Sequence, residues 1–289
     1  MRYYQLGGSG ESRLAVRTGD GLYDLTAASP DVGSYLDLVR TASITDTDTD
    51  AIVDGLLARA PSIDADAVEG DLDTPLRPGE VWAAGVTYRI SEEARREESD
   101  MEEMYIDVYE ADRPEVFFKA TPNRIVGPDE AVGIRRDSTW DVPEPELGIV
   151  LYRGDIVGFT VGNDMSSRAI EGENPLYLPQ AKVYDRCCSL GPCVRSAESI
   201  DDPQDLDMWM TIERDGEVMF DESTTTGEMV RSLDELVDCY VDHNAIPELS
   251  VLLTGTSLVP DETFTLREGD RIDIGIEGIG SMTNPVTTV

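Results

Sequence analysis

Two glutamates stand two residues apart in Glu144-Pro145-Glu146, at the head of the apolar run Leu147-Gly148-Ile149-Val150-Leu151. In an extended chain, residues i and i+2 project to the same face, and Pro145 keeps Glu144 out of the helical region. Carboxylates held side by side repel unless a proton, a cation or water comes between them. A third acid, Asp164, closes the next apolar strand in Val161-Gly162-Asn163-Asp164. A hairpin around Arg153–Asp155 would carry Asp164 back to the sheet end that bears the glutamates. Three oxygen ligands, with further positions left for water and substrate, suit Mg²⁺ or Mn²⁺ and not zinc. Because 59 of the 289 residues are acidic, an ordinary solvated acidic face is the competing reading.

Lysine sharpens the choice. Only Lys119 and Lys182 are lysines, the rest of the basic residues being arginine. A lysine retained in Leu178-Pro179-Gln180-Ala181-Lys182-Val183-Tyr184 is one that a surface acid cannot replace. Beside a divalent cation, or partly desolvated, its pKa is expected to fall, which would let it act as a general base. A buried structural ion pair is the alternative. Lys119, in Phe117-Phe118-Lys119, is marked out by the same logic, with a structural role the favoured reading.

Charge excludes some functions. With 23 Lys plus Arg against 59 Asp plus Glu, the formal charge is −36, which argues against nucleic acid and anionic membrane as partners. A lysine-poor, carboxylate-covered surface fits a halophile's cytosol, where at about 1 M salt the screening length is about 3 Å. The opening Met1-Arg2-Tyr3-Tyr4-Gln5 has no apolar signal-peptide core, and no apolar run is long enough to span a bilayer, so a soluble cytoplasmic protein is expected. Cys187, Cys188, Cys193 and Cys239 form no CxxC pair and His243 is the only histidine, so reduced, mostly buried thiols are expected and no zinc site.

The positioning elements follow from pattern. Leu14–Arg17 and Gly21–Leu25 read as short strands around a Thr18–Gly21 turn, and Ala51–Ala60 as a helix. The polar stretch Asp64–Gly79 with Pro75 and Pro78 reads as a linker, dividing a small N-terminal α/β domain (1–75) from a catalytic domain (76–289). Ser91 with Glu92 and Glu93 starts a helix carrying Met101, Met104, Tyr105 and Val108 to about Ala111. Short apolar runs dominate from Val116 to Leu190, and Ser232 with Glu235 predicts a capping box on a helix through about His243. Many short strands with few helices predict an α+β fold rich in strands.

Over residues 78–289 the chain resembles the fumarylacetoacetate hydrolase family. The resemblance is carried by Glu144-Pro145-Glu146-Leu147, Gly162-Asn163-Asp164-Met165-Ser166-Ser167-Arg168 and Leu253-Thr254-Gly255-Thr256. Leu266–Asp270 and Gly278–Val286 follow in the family's order. It implies a β-roll catalytic domain, a homo-oligomer (dimer or tetramer), Mg²⁺ on Glu144, Glu146 and Asp164, and Lys182 and the Thr256 loop at the substrate. One departure is informative. Family hydrolases carry G-x-N-Y-x-x-H-x-x-E, whose His and Glu activate water, whereas Ser91 and Ala94 stand at those positions here.

Within the family, Gly85-Val86-Thr87-Tyr88 and Glu171–Gln180 are most similar to the archaeal 2-keto-3-deoxypentonate dehydratases. That resemblance implies a hydro-lyase of pentose catabolism, converting 2-keto-3-deoxy-xylonate or -arabinonate to 2-oxoglutarate semialdehyde and water. In such a reaction Lys182 would take a C3 proton and Glu115 would protonate the leaving hydroxyl. Glu115 reads equally as a solvated turn residue. Arg89 and Thr256 would hold the substrate's carboxylate or hydroxyls, although Arg89 also reads as a solvent-facing helix-start residue. The competing activities are acylpyruvate hydrolase and oxaloacetate decarboxylase; a non-catalytic sugar-acid or metal-binding module is the third reading.

Overall fold

The apolar run after Glu146 forms the strand Pro145–Tyr152, buried at all eight positions. In the computed structural model, which describes residues 1–7, 12–65, 68, 70–88 and 111–289, this strand lies inside a ten-stranded sheet. The spatial order is Leu22–Asp24, Arg13–Arg17, Arg2–Leu6, Cys188–Ser196, Asp155–Asp164, Pro145–Tyr152, Leu249–Leu253, Glu80–Gly85 and Glu115–Ala120. Ile125–Val126 pairs alongside Cys188–Ser196. A strand covered on both faces needs continuous apolar sequence, not alternation, and Leu147–Leu151 supplies it. Truncating Ile149 to alanine there would cost about 2–5 kcal/mol.

The hairpin expected between the acid-bearing strands is present. Tyr152 pairs with Asp155 across Arg153 and Gly154, whose φ values of +53° and +98° make the two left-handed residues of a tight hairpin turn. From there the register carries Gly162 opposite Glu146 and Asn163 opposite Pro145. Asp164 therefore returns to the glutamate end of the sheet.

A second, five-stranded sheet runs Glu217–Thr225, Asp207–Arg214, Arg271–Ile276, Gly280–Thr288 and Val132–Ile134, and Asp141–Val142 pairs with Ser166–Ser167. The fold is thus α+β with a strand-rich catalytic region, as the sequence predicts. At the N-terminus, Arg2–Leu6 pairs with Cys188–Ser196, so residues 2–24 add three strands to the large sheet. The helix Tyr35–Thr45 packs beneath them, its Tyr35 hydroxyl donating to Val157 O at 2.6 Å.

Several elements differ in extent from the sequence pattern. The helix expected over Ala51–Ala60 spans Thr49–Leu57, and Tyr35–Thr45 is a further helix. The Ser232–Glu235 capping box is formed, but its helix, Leu233–Val241, ends before the exposed His243, which sits at φ +64°. Arg168–Glu173 and Leu178–Lys182 are short helices to which the sequence pattern assigns no element. The helix expected from Ser91 falls outside the described residues. Cys187, Cys188 and Cys193 are buried free thiols. No helix among the described residues is long and apolar enough to cross a membrane.

Candidate active site

Glu144, Glu146 and Asp164 converge. Each offers a carboxylate oxygen within 4.8 Å of the others, and all three are buried. The backbone locks them together: Asp164 N donates to Glu144 O at 2.9 Å, and Glu144 N to Asn163 Oδ1 at 3.1 Å. Gly255 N, from the loop after the Leu249–Leu253 strand, donates to Glu146 Oε2 at 2.7 Å.

Three cations balance part of this charge. Lys182, closing its helix, places Nζ 2.7 Å from Glu144 Oε2, 3.1 Å from Asp164 Oδ2 and 2.6 Å from Ser166 Oγ. Arg168 Nη2 lies 3.0 Å from Glu144 Oε1, and Lys119 Nζ 2.5 Å from Asp164 Oδ1. Glu146, among the described residues, meets no ion-pair partner. The consequences are opposite. Burial alone would raise Glu144, but Lys182 and Arg168 bring it down to about 2. Burial also raises Glu146, and Asp164 and Glu144 push it further, well above the usual carboxylate range. A buried carboxylate in that position calls for a positive charge, and an all-oxygen set beside it fits Mg²⁺.

Lys182 departs from expectation in one respect. Burial pulls its pKa down, but Asp164, Glu144 and Glu171 outweigh burial and hold it well above the ordinary lysine value. While those carboxylates direct their charge at Nζ, Lys182 is an ammonium. The expected fall in pKa therefore requires their charge to be engaged elsewhere.

Glu115 opens the strand Glu115–Ala120. Burial raises its carboxyl, Lys182 opposes, and Glu171, Glu144 and Asp164 raise it again, which is what a proton donor near this cluster needs. Its Oε2 lies 2.1 Å from where a Cβ on Gly85 would sit. Next to Gly85, Val86 holds φ +53°, a strained conformation for a β-branched residue. Thr87 Oγ1 donates to Thr254 O at 2.5 Å and so ties this loop to the one carrying Gly255 and Thr256. Thr256 Oγ1 accepts from Leu258 N at 3.0 Å. Arg89, Ser91 and Ala94 lie outside the described residues.

Sequence reasoning assigned no role to Arg168, Ser166 or the Gly255 amide. Arg168 and Ser166 stand in the same short segment as Asp164, and that proximity was the available signal. For the Gly255 amide, 109 positions from its acceptor, the signal was the Leu253-Thr254-Gly255-Thr256 motif, which marks the loop but not which backbone donor meets Glu146.

The chain is similar to known proteins. The model of the fumarylacetoacetate (FAA) hydrolase C-terminal family matches residues 80–287. A Haloferax volcanii protein named "Probable 2-keto-3-deoxyxylonate dehydratase" is 61% identical over 289 residues, covering 100% of both chains. The 2-dehydro-3-deoxy-D-arabinonate dehydratase of Saccharolobus solfataricus is 43% identical over 217 residues, 73% of each chain. A solved structure, 2-keto-3-deoxy-D-arabinonate dehydratase complexed with magnesium and 2,5-dioxopentanoate, superposes with a TM-score of 0.86 at 32% identity, covering 100% of this chain and 99% of the other.

Proposed function

Because this chain belongs to the fumarylacetoacetate (FAA) hydrolase family, we propose that it dehydrates a 2-keto-3-deoxypentonate, xylonate or arabinonate, to 2-oxoglutarate semialdehyde in a Mg²⁺-dependent reaction. The observation that carries this reading is the buried Glu144–Glu146–Asp164 cluster with Lys182 Nζ against it, in a chain 61% identical to the xylonate relative along its whole length. The family match over 80–287 supports treating 76–289 as the catalytic unit and 1–75 as a smaller N-terminal unit that extends its sheet.

Glu144, Glu146 and Asp164 would hold the ion. A bound Mg²⁺ would supply positive charge against these carboxylates and a Lewis acid for the substrate's C2 ketone. Lys182, relieved of their charge, takes a proton from C3. Glu115, kept protonated by burial and neighbouring acids, gives its proton to the C4 hydroxyl as that group leaves. Proton shifts then turn the C5 hydroxymethyl into the aldehyde. Thr256, and Arg89 from the sequence resemblance, hold the carboxylate and hydroxyls. No water is needed as nucleophile, which agrees with Ser91 and Ala94 standing where the hydrolases carry their His and Glu.

We also read the −36 charge as an adaptation to a saline cytosol, and the protein as a homo-oligomer. Full folding in salt-free buffer by circular dichroism would remove the first reading, and a monomer by light scattering the second. The central test is product analysis with purified 2-keto-3-deoxyxylonate and -arabinonate, in high salt with Mg²⁺. An aldehyde without pyruvate is expected. Pyruvate from acetylpyruvate, with no aldehyde from either pentonate, would overturn the assignment.

A further inference from the structure

Lys119 has no part in the chemistry above, yet its placement is unusual. Its side chain is wholly buried, and burying an ammonium is tolerated only where it is paired with a counter-charge and hydrogen-bonded. Here three partners are met: Met165 O at 2.8 Å and Lys182 O at 2.5 Å accept hydrogen bonds, and Asp164 Oδ1, 2.5 Å away, is the ion-pair partner. Two of these belong to the reacting cluster itself. One is a carboxylate oxygen of a proposed metal ligand, and the other is the main-chain carbonyl of the proposed base.

The strand is shaped for this. In the Glu80–Gly85 and Glu115–Ala120 pair, Val81 pairs with Ala120 and Trp82 with Phe118, so Lys119 is the extra residue of a bulge. Bulges bend a strand and re-aim the side chain they carry. Tyr184 adds its ring 5.7 Å from Nζ, and Cys187 Sγ lies 3.6 Å from Lys119 O. Lys119 thus meets both partners of a contact that it does not itself make, Asp164 Oδ2 to Lys182 Nζ at 3.1 Å.

We propose that Lys119 is a positioning residue: its ammonium fixes the rotation of the Asp164 carboxylate and the backbone of Lys182 in one frame, so that metal ligand and base keep their mutual geometry. The proposal rests on the reading of Glu144, Glu146 and Asp164 as a metal centre.

The test is Mn²⁺ binding, followed by electron paramagnetic resonance, together with steady-state kinetics in high salt. Wild type must bind Mn²⁺ and Glu146→Gln must not; failure of that control sinks the metal-centre reading and leaves Lys119 aside. Given the control, Lys119→Met is expected to weaken Mn²⁺ by about 10–100-fold, as loss of a group orienting a ligand does. Its kcat is also expected to stay low at saturating Mn²⁺, with little change in KM, because the Lys182 backbone has lost its tether. A folded Lys119→Met that melts earlier but keeps wild-type Mn²⁺ affinity and kcat would show a merely structural lysine and overturn the proposal. Should that variant fail to fold, Lys119→Arg decides. A planar guanidinium keeps the charge but cannot meet two backbone carbonyls and the Asp164 carboxylate from a single nitrogen. Lowered kcat at saturating Mn²⁺ is expected, and wild-type kcat and Mn²⁺ affinity in Lys119→Arg would overturn the proposal.

Discussion

Glu115 and Gly85 face each other across adjacent strands, and Glu115 Oε2 occupies the space where any larger residue at 85 would place its Cβ, 2.1 Å away. The absence of a side chain at Gly85 therefore sets where the carboxyl rests. Because that carboxyl is the far end of a flexible side chain, Gly85→Ala is expected to fold while displacing it. Its kcat should fall by about ten- to a hundredfold, and Glu115→Gln by up to about 10⁴-fold, the range for a lost general acid. Mn²⁺ binding should be unaffected in both. Unchanged kcat in Glu115→Gln would remove Glu115 from the reaction.

Lys182 is the next position to separate chemistry from assembly. Lys182→Ala is expected to lower kcat by about 10²–10⁴-fold, the range for a lost general base. Arg168 still holds Glu144 and Lys119 still holds Asp164, so the metal should continue to bind. Removing one partner of a buried ion pair typically costs about 3–5 kcal/mol, so the variant should melt earlier in EDTA and recover part of the loss in Mg²⁺. Near-normal kcat with Mg²⁺ would show that another group takes the proton.

How far the sequence reaches is visible in these same residues. Glu144, Glu146 and Asp164 are legible because strand periodicity is two and one tight turn fixes the register, so local rules carry the whole inference. Lys182 is legible because lysine is nearly absent from the chain, which makes its retention a signal. Its helix is not, because Leu178–Lys182 has five residues and Arg168–Glu173 six, too few to show a 3.6-residue period. What surrounds Lys119 is not legible, since a bulge and two backbone acceptors from distant segments leave no trace in residue types. The direction of the Lys182 shift was missed for a related reason. It depends on how many carboxylates face one nitrogen, and distance along the chain does not report that number.

Glu146 gives a test by metal removal. Its carboxylate lies against Asp164 and Glu144 without an ion pair among the described residues, held only by the Gly255 amide at 2.7 Å. Glu146→Gln keeps an oxygen for that amide and removes the repulsion. In EDTA the variant is expected to melt no earlier than wild type. Adding Mg²⁺ at a hundred times its dissociation constant should stabilise wild type by about 2.7 kcal/mol and leave the variant unmoved. Equal Mg²⁺ shifts in the two proteins would mean that the ion binds elsewhere.

Acid stability should respond to a contact far from the catalytic cluster. Arg40, on the helix Tyr35–Thr45, forks onto Glu248, just before the strand Leu249–Leu253, with Nε 3.2 Å and Nη2 2.5 Å from its two oxygens. Hydrogen bonding to Arg40 is the main cause that holds the Glu248 carboxyl at about 2, with Tyr152 and Arg153 adding to it. The folded state therefore binds this proton less readily than the unfolded chain. The contact contributes fully above the ordinary glutamate value near 4.5 and is lost as pH falls from there through about 2. The pair is exposed, so its worth is small and falls with salt. At one fixed salt concentration, Arg40→Ala is expected to melt slightly below wild type at pH 7. The gap should narrow between pH 4.5 and 2, as protonation takes from wild type the interaction the variant already lacks. A gap of constant size across that range would mean that Arg40 acts through helix packing and not through the charge on Glu248.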